Sequence, residues 1–290
     1  MYMSISERIM SMSANFSKKQ NQLGKFILDN IVDVALMNAP QIAREAGVSE
    51  ATLTRFVYAL GFNSFSEFLL ELRRETINSK GGQFRQEPDL GADGHIYQRV
   101  FDVEMDLMRE TLSNIDPASF DAAVKLLLEC DHLLLVGGPI HHYISLYALN
   151  FMCAYRDNIH IIKQVDMSFV SLLESLSSKS AAIVFSYPRY SSEVQKIAEI
   201  LYKKKVQIIG VTDSKLSPVI PLSHSYLITP QKYIILADAS ASVMALMHAL
   251  MVAMYKENSH NIKKRLEKYE KSILETEMFV YKDYNFVKKM

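Results

Sequence analysis

The stretch APQIAREAGVSEATLTRFVY, residues 39–58, decides how the first third of the chain is read. Ala43 is small where two helices must cross closely, and Gly47 falls where a turn needs positive φ. Val48 is placed to fill the angle between the helices, and Ser49 to cap the second one. Leu53, Phe56, Val57 and Leu60 then recur at helical spacing as a buried face, leaving Glu50, Ala51, Thr54, Arg55 and Tyr58 on the other side. This is the layout of a helix-turn-helix, which lays the N-terminal part of its second helix in the major groove of DNA. The competing reading is a plain helical bundle in which Gly47 only ends a helix. Small Ala, turn Gly, plugging Val and capping Ser in the right order argue against it.

Within this motif Arg55 is the candidate for a bidentate guanine contact or a phosphate clamp. Ser49, Glu50, Thr52, Thr54 and Tyr58 share its end of the helix and are placed for phosphates or base edges. Lys18 and Lys19, at the start of an earlier helix, are placed to hold the flanking backbone. Residues 1–80 nevertheless hold nine basic against eight acidic side chains, and the whole chain has a formal net charge of +0. So weak a field makes one reader a poor binder, which implies a homo-oligomer, dimer or tetramer, on a palindromic double-stranded operator.

Working outward, residues 16–76 are expected to be helical throughout. Ser17 with Gln20 and Ser64 with Glu67 read as capping boxes. Leu23, Phe26, Ile27 and Ile31 form one apolar face, and Phe65, Phe68, Leu69 and Leu72 another. Residues 80–96 gather Gly81, Gly82, Pro88, Gly91 and Gly94 among polar side chains and read as a linker.

Beyond it the pattern changes. After a helix through Val100, Val103 and Leu107, and another capped by Asp116-Pro117, apolar runs at 132–136, 159–162, 181–185, 207–211 and 226–228 alternate with helical patterns. Continuous apolar strands between helices imply a parallel sheet covered on both faces, here doubly wound, flavodoxin-like and three-layered. The chain closes with helix 239–256, whose Met-rich part 243–254 reads as core or dimer interface, and a charged helical tail.

The composition, 49% hydrophobic and 22% charged over 290 residues, is that of a globular protein with room for two domains. Cys130 and Cys153 stand in apolar surroundings at no metal-ligand spacing and read as free thiols of a reducing compartment. The N-terminus lacks the long apolar core of a signal peptide, and the longest apolar run, 242–255, is too short to span a bilayer. A cytoplasmic protein with no membrane partner is expected.

The segment IAREAGVSEATLTRFVYALGFNSFSEF, residues 42–68, resembles the N-terminal domain of RpiR-type transcription regulators. The later pattern, with LLLVGG at 133–138 and GVTDSKLSP at 210–218, resembles the sugar-isomerase (SIS) domain that those regulators carry. The resemblance implies an effector domain that binds phosphosugars through hydroxyls in the loops after the first and third strands. Such loops sit at helix N-termini, where free amides and the helix dipole favour an anion. In this chain the first loop offers Gly137, Gly138 and His141, and lacks the usual serine. The second runs Ser186-Tyr187-Pro188-Arg189-Tyr190-Ser191-Ser192; of the family's Ser-x-Ser-Gly-x-Ser/Thr it keeps Ser186 and Ser191, with Pro188 and Arg189 in the middle. Arg189 supplies a planar fork for a phosphate or carboxylate, so the expected effector is a small anion: a sugar phosphate, a sugar acid or another carboxylate. Gly137 and Gly138 are expected to let it approach the backbone. Ser192 with Gln195 reads as a capping box, leaving Ser191 the freer hydroxyl. Lys232 and Ser240 lie in a later loop, 230–240, that can close over the site.

No catalytic, cofactor or metal residues are assigned. His141 and His142 are adjacent and point apart, no further ligand stands at a readable spacing, and no nucleophile elbow occurs. The rival reading is a phosphosugar isomerase with an accessory helical domain; its base would have to be Glu174, Glu193 or His141. A third is a protein-binding adaptor. The expected organisation is a helix-turn-helix domain at 1–79, a linker at 80–96, a SIS domain at 97–258 and a helical tail at 259–290.

Overall fold

Local caps start most helices of the N-terminal region. The structure, a computed structural model, describes residues 3–83, 95–234 and 237–280. The chain divides into two units, residues 1–87 and 88–290. The first holds α1 (Ile5–Met12), α2 (Lys18–Asp29), α3 (Ile31–Leu36), α4 (Ala39–Glu45), α5 (Glu50–Ala59) and α6 (Phe65–Gln83). Reciprocal capping boxes open α1 (Ser4 with Glu7), α2 (Ser17 with Gln20) and α4 (Asn38 with Gln41). At α6 the box is incomplete. The Ser64 hydroxyl accepts from the Glu67 amide at 3.1 Å, but the Glu67 carboxylate accepts from the amide of Asn63 at 2.7 Å, not from that of Ser64. Leu23, Ile27, Leu53, Phe56, Phe68 and Leu72 meet in a buried core, with Phe16 and Phe56 ring centroids 4.9 Å apart. The sequence reading missed α1. Its Ile5 and Ile9 are buried, and the Ile5 amide donates to both Glu75 oxygens, at 2.6 and 2.8 Å. The segment expected as a linker begins inside α6, which runs to Gln83; residues 84–94 lie outside the described residues.

The second unit opens with α7 (Ile96–Asn114) and α8 (Pro117–Glu129), the latter capped by Asp116, which accepts from the Ser119 amide at 2.9 Å. Strands and helices then alternate: β1 (Leu133–Gly137), α9 (His142–Met152), β2 (Ile159–Ile162), α10 (Met167–Leu173), β3 (Ala181–Ser186), α11 (Ser192–Lys203), β4 (Gln207–Thr212) and β5 (Ser225–Ile228). The sheet order is β2-β1-β3-β4-β5 and every pairing is parallel. Because side chains alternate across a strand, Leu133, Leu135, Ile183 and Phe185 pack on one face with residues of α8, α9 and α12 (Ala241–Glu257). Leu134, Val136, Ala182 and Val184 pack on the other with residues of α10 and α11. This is the expected three-layer, flavodoxin-like architecture. The Met-rich helix contributes Met247, Met251 and Met254 to the core.

A short antiparallel pair, β6 (Tyr233–Ile234) with β7 (Ala237–Asp238), was not expected; two-residue strands carry no periodicity to read. The chain ends, among the described residues, with α13 (Ser259–Glu275). The α12 N-terminus has no local side-chain cap. Instead Glu104 of α7 accepts from the amides of Ser240 and Ala241, at 3.0 Å each. Since β1 and β3 are neighbours and the chain leaves them in opposite directions, their C-terminal ends form the topological switch point, where open α/β sheets bind ligands.

Candidate functional site

In the N-terminal unit the turn between α4 and α5 is set by Gly47, at φ +65°, where a Cβ would lie 3.1 Å from the Gln22 amide nitrogen. That nitrogen donates to the Ala46 carbonyl at 2.8 Å and holds the turn to α2. Lys19 also belongs to the turn: its Nζ donates to the Gly47 carbonyl at 3.2 Å. Ser49 caps α5, accepting from the Thr52 amide at 3.2 Å, and the two hydroxyls are 2.9 Å apart. Thr54 donates back to the Glu50 carbonyl at 3.0 Å. Three candidate hydroxyls are thus engaged within the helix itself. Glu50, Ala51, Thr54, Arg55 and Tyr58 form the exposed face, while Leu53, Phe56, Val57 and Leu60 are buried. The Arg55 side chain has no hydrogen bond or ion pair among the described residues, and Lys18 is exposed at the first position of α2, where the first turn carries no acidic residue.

At the switch point the structure gathers the loops after β1 and β3, with three departures from expectation. First, Gly137 and Gly138 are buried and accommodate protein: a Cβ on Gly137 would meet the Ser145 hydroxyl at 2.7 Å, and one on Gly138 the Ser191 Cβ at 3.1 Å. Second, the Ser192–Gln195 box does not form. Ser191 is the cap of α11, accepting from the Val194 amide at 3.4 Å, and Ser192 is its exposed first residue. The roles of the two hydroxyls are the reverse of those expected, because the helix starts one residue earlier. Third, His141 is buried, with Nε2 2.8 Å from an oxygen of Asp238 and its ring against Tyr187 at 4.8 Å.

Ser186 is buried at the end of β3, and its carbonyl accepts from the Thr212 hydroxyl. Arg189 is exposed and has no hydrogen bond or ion pair among the described residues. Its φ is +70°, a left-handed conformation at the position where the family pattern has glycine.

Sequence reasoning missed the polar groups beneath these loops. The Tyr190 hydroxyl donates to Asp213 at 2.8 Å, the hydroxyls of Tyr187 and Thr229 are 2.5 Å apart, and the buried Gln231 Oε1 has no hydrogen-bond partner among the described residues. Burial pushes the Asp213 carboxyl above its ordinary range, against the bonds it accepts from Tyr190 and Thr212. All four stand inside segments already singled out, Tyr187 and Asp213 in the family-like stretches and Gln231 and Asp238 in the loop 230–240, but no motif marked the individual side chains. Of the rival bases, Glu193 accepts from the Val165 amide at 2.6 Å and Glu174 is exposed at the end of α10. Among the described residues no group of three or more His, Cys, Asp or Glu is placed to hold a metal ion, and no helix is long and apolar enough to cross a membrane. Cys130 and Cys153 are free thiols.

A helix-turn-helix followed in the same chain by a parallel αβα unit has the build of a two-domain transcription regulator. Residues 3–79 match the helix-turn-helix domain of the rpiR family, and residues 126–256 match the SIS domain. The chain thus carries an rpiR-family helix-turn-helix domain followed by a SIS domain. It is 26% identical over 234 residues to an uncharacterized HTH-type transcriptional regulator of Haemophilus influenzae, covering 78% of this chain and 79% of that one. A Clostridium perfringens regulator of the same description is 22% identical over 227 residues, covering 76% and 80%. Among solved structures, the chain is similar to the Vibrio vulnificus NanR protein complexed with ManNAc-6P, with a TM-score of 0.61 at 19% identity over 95% of this chain and 99% of that one. The sugar isomerase domain of an RpiR transcription factor from Sphaerobacter thermophilus gives a TM-score of 0.57 at 16% identity, covering 60% and 97%.

Proposed function

We propose that this regulator binds a palindromic operator through α5 and that a small anionic metabolite, held at the switch point, controls the binding. Arg55 reads or clamps DNA beside Thr54 and Tyr58, and Lys18 holds the backbone. The effector's anionic group meets Arg189 and the N-terminus of α11, with Ser192 as the exposed hydroxyl and Ser186 and His141 lining the base of the site. A sugar phosphate is the favoured class, since the structurally similar NanR carries ManNAc-6P; a sugar acid uses the same donors. The protein acts as a homo-oligomer in the cytoplasm and is not an enzyme.

The observation that carries this reading is Arg189. A non-glycine residue at φ +70° is strained by about 1–2 kcal/mol. Here that strained backbone presents an exposed cation beside a helix N-terminus, where an anion gains from free amides and the dipole. The isomerase reading rests on the buried His141–Asp238 pair, since a carboxylate that orients an imidazole suits it to act as a general base.

The experiment is a screen of sugar phosphates and sugar acids by thermal shift on the full chain. Each hit is then titrated against operator affinity and assayed for conversion to its ketose or aldose isomer. A hit that changes operator affinity without turnover supports the regulator; turnover supports the rival; no hit among phosphates and carboxylates removes the anionic effector.

A further inference from the structure

Helix α7 carries two apolar faces, and its own domain covers one of them. Leu107 and Thr111 are buried and Val100 and Val103 half-buried against the rest of the unit. Next to them runs a second line, Tyr97, Phe101, Met105, Met108 and Leu112, at the three- and four-residue spacing of a helical seam. Four of these large side chains are exposed: Tyr97 57%, Phe101 67%, Met105 38% and Leu112 75%. Together they present roughly 400 Å² of apolar surface, the size of the largest patch on a typical monomer, which is often functional.

The charges beside the seam select its partner. Asp102 and Arg109 are seven residues apart, two turns of helix, and so share one flank of the line. A two-fold axis across an antiparallel helix pair brings like flank against like flank, so Asp102 of each copy faces Arg109 of the other. A parallel two-fold pair would bring opposite flanks together and leave Asp102 and Arg109 of the two copies on opposite sides of the seam, with no such pairing. The midpoint of Asp102 and Arg109 and the midpoint of Tyr97 and Leu112 both fall within one residue of Met105, so apolar seam and charges close about the same axis. In the single chain Arg109 reaches Asp106 at 2.9 Å, an exposed pair that is easily exchanged.

From this self-complementary pattern we infer that α7 is a homodimer interface: a second copy of this chain docks antiparallel on its Tyr97–Leu112 face, with the two-fold axis beside Met105. The inference rests on the homo-oligomer reading above and gives it a surface and a register. Two facing seams bury about 800 Å², below the roughly 1,200 Å² of a stable interface. The remainder has to come from neighbouring exposed side chains such as Tyr143 of α9, which feels the charge of Glu104 on α7.

The test is sedimentation equilibrium of the full chain with four variants. Wild type is expected to dimerise at micromolar concentration. Phe101→Glu with Leu112→Glu should weaken the dimer at least about a hundredfold while the circular dichroism spectrum holds, since both side chains are exposed. Asp102→Arg and Arg109→Asp should each weaken it by about five- to tenfold, and the two together should restore it to within about twofold of wild type. Additive weakening in the double charge reversal overturns the antiparallel register. A dimer that survives the Phe101 and Leu112 changes moves the interface elsewhere and overturns the inference while leaving the oligomer intact. A monomeric wild type removes both the inference and the oligomer reading.

Discussion

Two left-handed residues shape the two candidate sites, and they are solved differently. In the reader, the turn before α5 reaches φ +65° at Gly47; in the α/β unit, the loop before α11 reaches φ +70° at Arg189. Glycine adopts this conformation without a Cβ penalty, so the first turn serves geometry alone and its residue is dispensable as chemistry. Arginine adopts it under strain, so the second keeps a side chain at a position where the backbone favours its loss. A strained backbone supports an inference toward function. The reader's chemistry lies instead on the outward face of α5, held by an unstrained scaffold.

The largest effect that can break this contrast is at Arg189. Losing a charge-assisted hydrogen bond removes about 1.5–3 kcal/mol, so Arg189→Ala should weaken the effector by about ten- to a hundredfold. Operator affinity without effector should stay nearly unchanged. Isothermal titration with the anion found in the screen checks the first, and fluorescence anisotropy with labelled operator the second; equal effector affinities would remove Arg189 from the site. In the reader, Arg55→Ala should weaken specific operator binding by about 1–3 kcal/mol with the circular dichroism spectrum intact. Unchanged anisotropy curves would return α5 to a purely structural role.

A smaller pair of changes compares the turns directly. Gly47→Ala imposes the left-handed penalty and crowds Gln22, so it should destabilise the reader by about 1–2 kcal/mol. Arg189→Gly relieves the same penalty and should be neutral or stabilising by up to about 1 kcal/mol, while losing effector as Arg189→Ala does. Urea titrations that moved both midpoints in the same direction would show that the two turns are not strained as their φ angles imply.

The smallest effect concerns Asp213, whose carboxyl burial pushes up. A raised folded pKa means that the protonated form is favoured on folding. The stability it allows is fully present below the ordinary Asp value of 3.8 and is lost as pH rises through the folded value. Asp213→Asn can still accept from Tyr190 and Thr212 without that charge, so its Tm should exceed that of wild type at neutral pH. The gap should close as pH falls below 3.8. A gap independent of pH would mean that the carboxyl is not the source.

The same contrast explains what could be read in advance. Gly47, Ser49 and the Leu53–Phe56–Val57–Leu60 face obey local rules of capping, turning and period, and the reader was legible from them. The parallel sheet was legible because its strands, buried on both faces, are unbroken apolar runs. At the switch point, partners are distant in the chain: His141 finds Asp238, and Tyr187 finds Thr229. Only the fold brings such residues together, and no spacing announces them. A one-residue shift in where α11 begins exchanged Ser191 and Ser192, since both are good caps and sequence has no means to choose between neighbours. Helix α1 escaped notice because its anchor, the Ile5 amide on Glu75, spans the whole unit.

The contact of Glu104 with the first amides of α12 has a consequence in time. It joins residues 136 positions apart, so it cannot form on the ribosome until almost the whole effector unit has emerged. Contacts of such separation are late and slow, while the short-range contacts of the N-terminal helices can form early. A growing chain can therefore hold a folded reader well before α7 is fastened to α12. Ribosome-stalled chains ending before Ser240 would hold α7 unfastened, and those extending past α12 would protect it from a protease.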